Sequence, residues 1–218
     1  KGYLGRDLSR TGWGLKFDYI IIHEAGHEWF ANNITYKDIA DMWIHESFTT
    51  YSENLFLDYH YGKEASSEYV IGTRAGISNS APMIGPYGVN QRGSDIYNKG
   101  ANVLHTIRQI ANSDEKWRMI LRGLNKDFYH QTVATKQIEN YISEKMGYDL
   151  STFFDQYLRT TNIPVFEYKL SDGLLQYKWT NVVDGFKMPI EIYVGDEKIK
   201  LNPTQKIKSI NVKSEEIR

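Results

Sequence analysis

Ile20-Ile-Ile-His-Glu-Ala-Gly-His27 is the stretch on which the reading of this chain turns. It lies in a run from Leu15 in which Phe17, Ile21, Ile22, Ala25, Trp29 and Phe30 recur largely at spacings of three and four. That is the period of a helix, which Asn32-Asn33 closes. Residues four apart on a helix stand one above the other, with Cβ atoms about 5–6 Å apart. The imidazoles of His23 and His27 can therefore converge on one ion at Zn–N distances of about 2.0–2.1 Å. Glu24, one position along, points beside such an ion, where a carboxylate takes a proton from an activated water. The preceding isoleucines predict a buried helix, and buried charged groups need partners, of which a metal is the natural one. Gly26 in mid-helix costs about 0.5–1 kcal/mol relative to Ala, which implies close approach by a neighbouring backbone.

Outward from this stretch the chain reads as mainly α. A second helix is expected from about Asp41 to Tyr59, with Ile44, Phe48, Tyr51, Leu55 and Tyr59 on one side and Gly62 as its stop; a third runs from Lys63 to about Ile77. Residues 78–94 hold Pro82, Gly85, Pro86, Gly88 and Gly93 and form a long loop, of the kind that is often functional. Ser94-Asp95, Ser113-Asp114 and Thr135 are placed to cap three more helices, the last ended by Gly147, and Asp149 starts a short one through Tyr157. After Pro164 the period becomes two: Phe166–Leu170, Leu174–Trp179 and Ile190–Val194 alternate as strands, with turn signals at Asp172-Gly173 and Asp184-Gly185. The expected organisation is a helical domain over residues 1–162 and a small all-β element over residues 163–218, part of a sandwich. Residues 1–14, with four glycines, read as irregular.

Composition narrows the chemistry. The 218 residues carry 26 basic and 27 acidic side chains, a net charge of −1, which gives no argument for a nucleic acid or an anionic membrane as partner. There are no cysteines, so a metal site in this chain must use histidine and carboxylate ligands, and compartment is left open. No apolar run approaches the roughly 18 residues of a membrane span. The chain starts at Lys1, without a charged-then-apolar leader, and is read as a piece of a longer protein.

A catalytic zinc site takes three protein ligands and keeps one position open. The metzincin extension would need Gly at position 30 and His at position 33; Phe30 and Asn33 exclude it. The next candidate is Glu46, in Trp43-Ile-His-Glu-Ser-Phe-Thr-Thr-Tyr-Ser-Glu53, with 18 residues intervening after His27. With that spacing the sequence resembles the aminopeptidase N family of gluzincin zinc peptidases. Ser47 stands where the family usually has Gly and His45 where it commonly has Asn, both flanking the ligand without removing it. Thermolysin-like enzymes are similar but use a spacer one residue longer. Tyr97-Asn-Lys-Gly-Ala101 matches the family's Tyr-x-Lys-Gly pattern, and Phe153-Phe-Asp-Gln-Tyr157 before Pro164 resembles the segment that closes its catalytic domain.

The resemblance covers about residues 15–165. It implies a mainly α, thermolysin-like catalytic domain with one zinc ion held by His23, His27 and Glu46, Glu24 as general base, and Tyr97 as hydrogen-bond donor to the oxyanion. Glu53, on the same helix face as Glu46, is either a carboxylate orienting a zinc-ligating histidine or a surface glutamate. The implied substrate is a peptide, and aminopeptidase character rests on the resemblance alone, because the family's amine-binding Gly-x-Met-Glu-Asn segment is not among the residues before His23. An endopeptidase of thermolysin type, an epoxide hydrolase on the same scaffold and a non-catalytic zinc-binding module are the rival readings.

Overall fold

The computed structural model describes residues 6–214 and 216–218. The irregular structure expected for residues 1–5 lies outside them. Roughly half of the chain is helical, with a few small sheets. It divides into two compact units, Lys1–Gly147 and Tyr148–Arg218.

In the first unit α1 spans Tyr19–Gly26, α2 Trp43–Tyr61, α3 Lys63–Gly72, α4 Asn98–Ala111, α5 Asp114–Asp127 and α6 Thr135–Met146. Two three-residue strands, β1 (Ile34–Tyr36) and β2 (Gln131–Val133), pair in parallel. α2 is the axis of the unit and packs against α1, α3 and α4. Every residue from Trp43 to Tyr51 is buried, so the first half of α2 has no solvent face; the second half buries only Glu53, Asn54 and Leu57. Tyr59, expected on the apolar stripe, is 85% exposed, and Leu57 takes its place in the core.

Several boundaries differ from the expected ones, each for a local reason. The first helix does not run from Leu15 to Asn33. Asp18 accepts the Ile21 N–H and starts α1 at Tyr19, and α geometry ends at Gly26–His27. A wider turn follows over Glu28–Asn33, in which Phe30 and Ala31 leave helical geometry. Phe30 turns inward there and stacks on Phe48 at 4.3 Å between centroids. Nor is α1 buried all round: Ile21 is 61% exposed, while Tyr19, His23 and Gly26 face inward. Gly26 does meet a close neighbour, since a Cβ there would lie 3.0 Å from Ser52 Oγ and 3.3 Å from Thr49 Cα. Asp95 does not cap α4. Its carboxylate accepts from the backbone N–H groups of Ser78 and Asn79 instead, closing the 78–94 loop, and Tyr97 becomes the residue that opens the helix. At α6 the cap is Gln137, whose Oε1 accepts the Ala134 N–H, while Thr135 is buried in a hydrogen-bond chain from Trp43 Nε1 to Asp41. Ser113 caps α5 as expected, accepting from Lys116 N.

In the second unit α7 (Ser151–Arg159) precedes five strands: β3 (Val165–Ser171), β4 (Leu174–Thr180), β5 (Ile190–Val194), β6 (Glu197–Leu201) and β7 (Lys208–Asn211). β3-β4-β7 form one antiparallel sheet and β5-β6 a hairpin. Asp172 and Gly173 both adopt positive φ (51° and 72°), the geometry of a tight hairpin turn between β3 and β4. Leu175 and Tyr177 from one sheet share an apolar cluster with Ile192, Val194 and Leu201 from the other. Buried Gln156 ties α7 to the loops beside them by accepting the Val183 N–H and donating to the Asn162 carbonyl.

Candidate metal centre

α1 presents His23 and His27, and α2 brings Glu46 against them. One ligand atom from each of the three lies within 4.8 Å of the other two. His23 Nε2 is 3.2 Å and His27 Nε2 3.7 Å from Glu46 Oε2. A tetrahedral ion with bonds of about 2.0–2.1 Å separates its ligands by about 3.3 Å, close to both of these separations from Glu46. The chemistry fits as well: two imidazole nitrogens and a carboxylate oxygen are borderline ligands that zinc accepts. Burial opposes a positive charge on His23, yet hydrogen bonds and charge from Glu46 and Glu53 outweigh it and raise its pKa to about 9.

The outer nitrogens of both rings are held. His23 Nδ1 lies 3.2 Å from Glu53 Oε1, and the other Glu53 oxygen accepts from the Tyr69 hydroxyl at 2.6 Å. Glu53 is 2% exposed, so the surface-glutamate reading fails: it is a buried carboxylate lodged between His23 and Tyr69. His27 Nδ1 lies 3.2 Å from the Phe30 carbonyl, which can only accept. Nδ1 therefore carries the proton, and the Nε2 lone pair is left facing Glu46. The departure from helical geometry at Phe30 and Ala31 is what aims this carbonyl back at His27. Thr49 Oγ1 adds a contact 3.3 Å from His23 Nε2. Tyr69, Thr49 and the Phe30 carbonyl were not expected from sequence. One tyrosine among 16 and a carbonyl direction leave no local signal.

Glu24 is exposed on α1, and among the described residues its carboxylate has no hydrogen-bond or ion-pair partner. Tyr97 is 39% exposed, with its ring 6.0 Å from that of His23 between centroids. Gly100, one turn into α4, sits hard against α2: a Cβ on it would lie 1.8 Å from Ser47 Oγ. Ser47 in turn donates to the Ile96 carbonyl at 2.7 Å, one residue before Tyr97. His45 accepts the Tyr36 N–H on Nε2 at 3.0 Å, and burial together with nearby His27 lowers its pKa to about 4. It is a neutral imidazole holding β1.

Residues 14–157 match the model of the peptidase family M1 domain, and the chain belongs to that family, the aminopeptidase N family of zinc metallopeptidases. Its curated relatives include a protein named probable aminopeptidase 1 from Sulfurisphaera tokodaii, 25% identical over 96% of this chain and 30% of that protein. Aminopeptidase N of Lactococcus lactis subsp. lactis is 25% identical over 72% of this chain and 20% of its own length. Among solved structures, Legionella pneumophila aminopeptidase A aligns with a TM-score of 0.65 at 18% identity, over 97% of this chain and 26% of that one. An M1 zinc metallopeptidase from Deinococcus radiodurans aligns with a TM-score of 0.57 at 23% identity, over 70% and 35%. At these identities the structural likeness speaks for the fold. The chain spans about a third or less of the length of these proteins.

Proposed function

We propose that this chain carries the catalytic centre of a zinc aminopeptidase, hydrolysing peptide bonds and releasing N-terminal residues. The observation that carries the reading is the convergence of His23, His27 and Glu46 beside an unpartnered Glu24. The aminopeptidase names of its relatives support the exopeptidase part. The three ligands would hold one ion. Zinc supplies Lewis-acid polarisation and lowers the pKa of a water towards about 7.

The protein groups do the rest. The Glu24 carboxylate takes a proton from the attacking water and passes it to the leaving amine. The Tyr97 hydroxyl donates to the scissile carbonyl oxygen as negative charge develops there, an interaction worth about 10²–10³ in rate. Glu53 and the Phe30 carbonyl fix the two imidazoles by accepting from their Nδ1–H groups. The architecture proposed around this site is a thermolysin-like helical domain over residues 1–162. A partial sandwich over residues 163–218 follows, a reading supported by the apolar cluster shared between its two sheets.

The test is bound zinc and turnover of amino-acid anilides and their N-acetylated counterparts, in wild type and Glu24→Gln. The variant is expected to keep zinc and lose about 10²–10⁴ in kcat. A zinc-loaded variant with full activity refutes the role of Glu24. Preference for the acetylated substrates refutes the exopeptidase reading.

A further inference from the structure

The 78–94 loop and the residues leading to Tyr97 enclose an open pocket of about 700 Å³, with Arg92 and Tyr97 on its wall. Among the described residues two charged side chains line it, Arg92 and Asp95. Asp95 is engaged within the loop, accepting from the Ser78 and Asn79 N–H groups and from the Ser78 and Ser94 hydroxyls. Arg92 is exposed and, among the described residues, touches only Tyr97: Nη1 lies 3.4 Å from the phenol oxygen, and the guanidinium carbon 5.9 Å from the ring centroid. The other nearby cation, Lys99, is buried and bonded to Asn79. Among the described residues the pocket therefore offers one positive charge with no carboxylate partner, directly beside the residue read as the oxyanion donor.

The backbone that carries this charge is pinned on both sides. A Cβ on Gly93 would lie 1.9 Å from the Met83 carbonyl oxygen, and a Cβ on Gly85 2.3 Å from that of Gln91 and 2.9 Å from the Arg92 carbonyl carbon. Ser94 N–H donates to the Pro82 carbonyl and Gly85 N–H to that of Ala40. Two glycines thus let the strands of the loop close on each other around Arg92, so its Cα is held in place while the side chain stays in solvent.

We infer that Arg92 is a specificity-determining residue that binds a carboxylate of the substrate next to the scissile bond. The inference rests on Tyr97 as the oxyanion donor. A hydrogen-bonded carbonyl oxygen would then lie within about 6 Å of the guanidinium, a distance spanned by an acidic side chain on either flanking residue or by the terminal carboxylate of a dipeptide. A planar guanidinium with free donors matches a carboxylate bidentately.

The experiment measures kcat/KM for three matched pairs in the whole zinc-loaded protein: glutamyl against glutaminyl anilide, Ala-Glu amide against Ala-Gln amide, and Ala-Ala acid against Ala-Ala amide. In at least one pair the wild type favours the acid by about tenfold, Arg92→Ala brings that ratio to about one, and Arg92→Lys keeps part of it. The pair that responds identifies the source of the carboxylate. If Arg92→Ala slows acid and neutral members by the same factor in every pair, Arg92 merely supports Tyr97 and the inference is overturned. If no member of any pair is cleaved, the peptidase reading falls and takes the inference with it.

Discussion

Gly100→Ala tests whether the approach of α4 to α2 positions the site. The added methyl would lie 1.8 Å from Ser47 Oγ, 2.4 Å from Ser47 Cβ and 3.2 Å from Met83 Cε. Ordinary contact begins near 3.4 Å. Rotating the hydroxyl away leaves the Cβ clash and breaks its bond to the Ile96 carbonyl, so the helices must part by about 1 Å, an overpacking that costs about 1–3 kcal/mol. Replacing Gly by Ala inside a helix returns about 0.5–1 kcal/mol, leaving a net loss of up to about 2.5 kcal/mol. Ser47→Gly removes both clashing atoms, at the expense of its hydrogen bond. The double variant should therefore be more stable than the two single losses imply, with a coupling of about 1–3 kcal/mol in a urea-denaturation cycle. Additivity within about 0.5 kcal/mol would show that α4 accommodates the methyl in some other way, and the reasoning would fail.

Three further expectations follow from the same geometry. Glu53→Gln weakens zinc binding by about 10–100-fold, read by competition with a chelator; unchanged affinity would mean that the carboxylate does not tune His23. Tyr97→Phe lowers kcat by about 10²–10³ while the zinc stoichiometry stays at one, and an unaltered kcat removes Tyr97 from the reaction. Hydrogen bonds from Arg108 and then Lys63 lower the Asp114 pKa from its usual 3.8 to about 2. Stability from this group is thus complete above about pH 4 and is lost as pH falls through about 2. Asp114→Asn should be less stable than wild type near neutrality, and the gap should close over that acid range in denaturant titrations.

The grouping of His23, His27 and Glu46 was legible because it is written locally. A four-residue repeat on α1 and an 18-residue spacer decide which atoms meet, whatever the rest of the chain does. Strands β3, β4 and β5 were legible for the same reason, since a period of two needs no distant partner to be seen. Long-range choices were not. Asp95 satisfies a local capping rule, yet two loop N–H groups 16 and 17 residues upstream compete for its carboxylate and win. The end of α1 is decided by the packing of Phe30 on Phe48, a residue on another helix. Glu53 looked equally suited to solvent and to the core, because its buried partners, His23 on α1 and Tyr69 on α3, come from two other helices. β6 carries lysines at two of its five positions, so its pairing with β5 is evident only once the hairpin has formed.

The burial of every residue from Trp43 to Tyr51 has a consequence for how this centre can change. Glu46 does not sit on a loop that can drift while the scaffold stays intact; it is set in the buried half of α2, between buried neighbours along the helix. Its backbone amides should be among the last to exchange with deuterium, opening only when the whole unit opens. A substitution that altered the ligand's reach or charge would have to be matched by repacking α1, α3 and α4 together. The position of Glu46 is thus inherited from the core around it and resists drift as strongly as that core does.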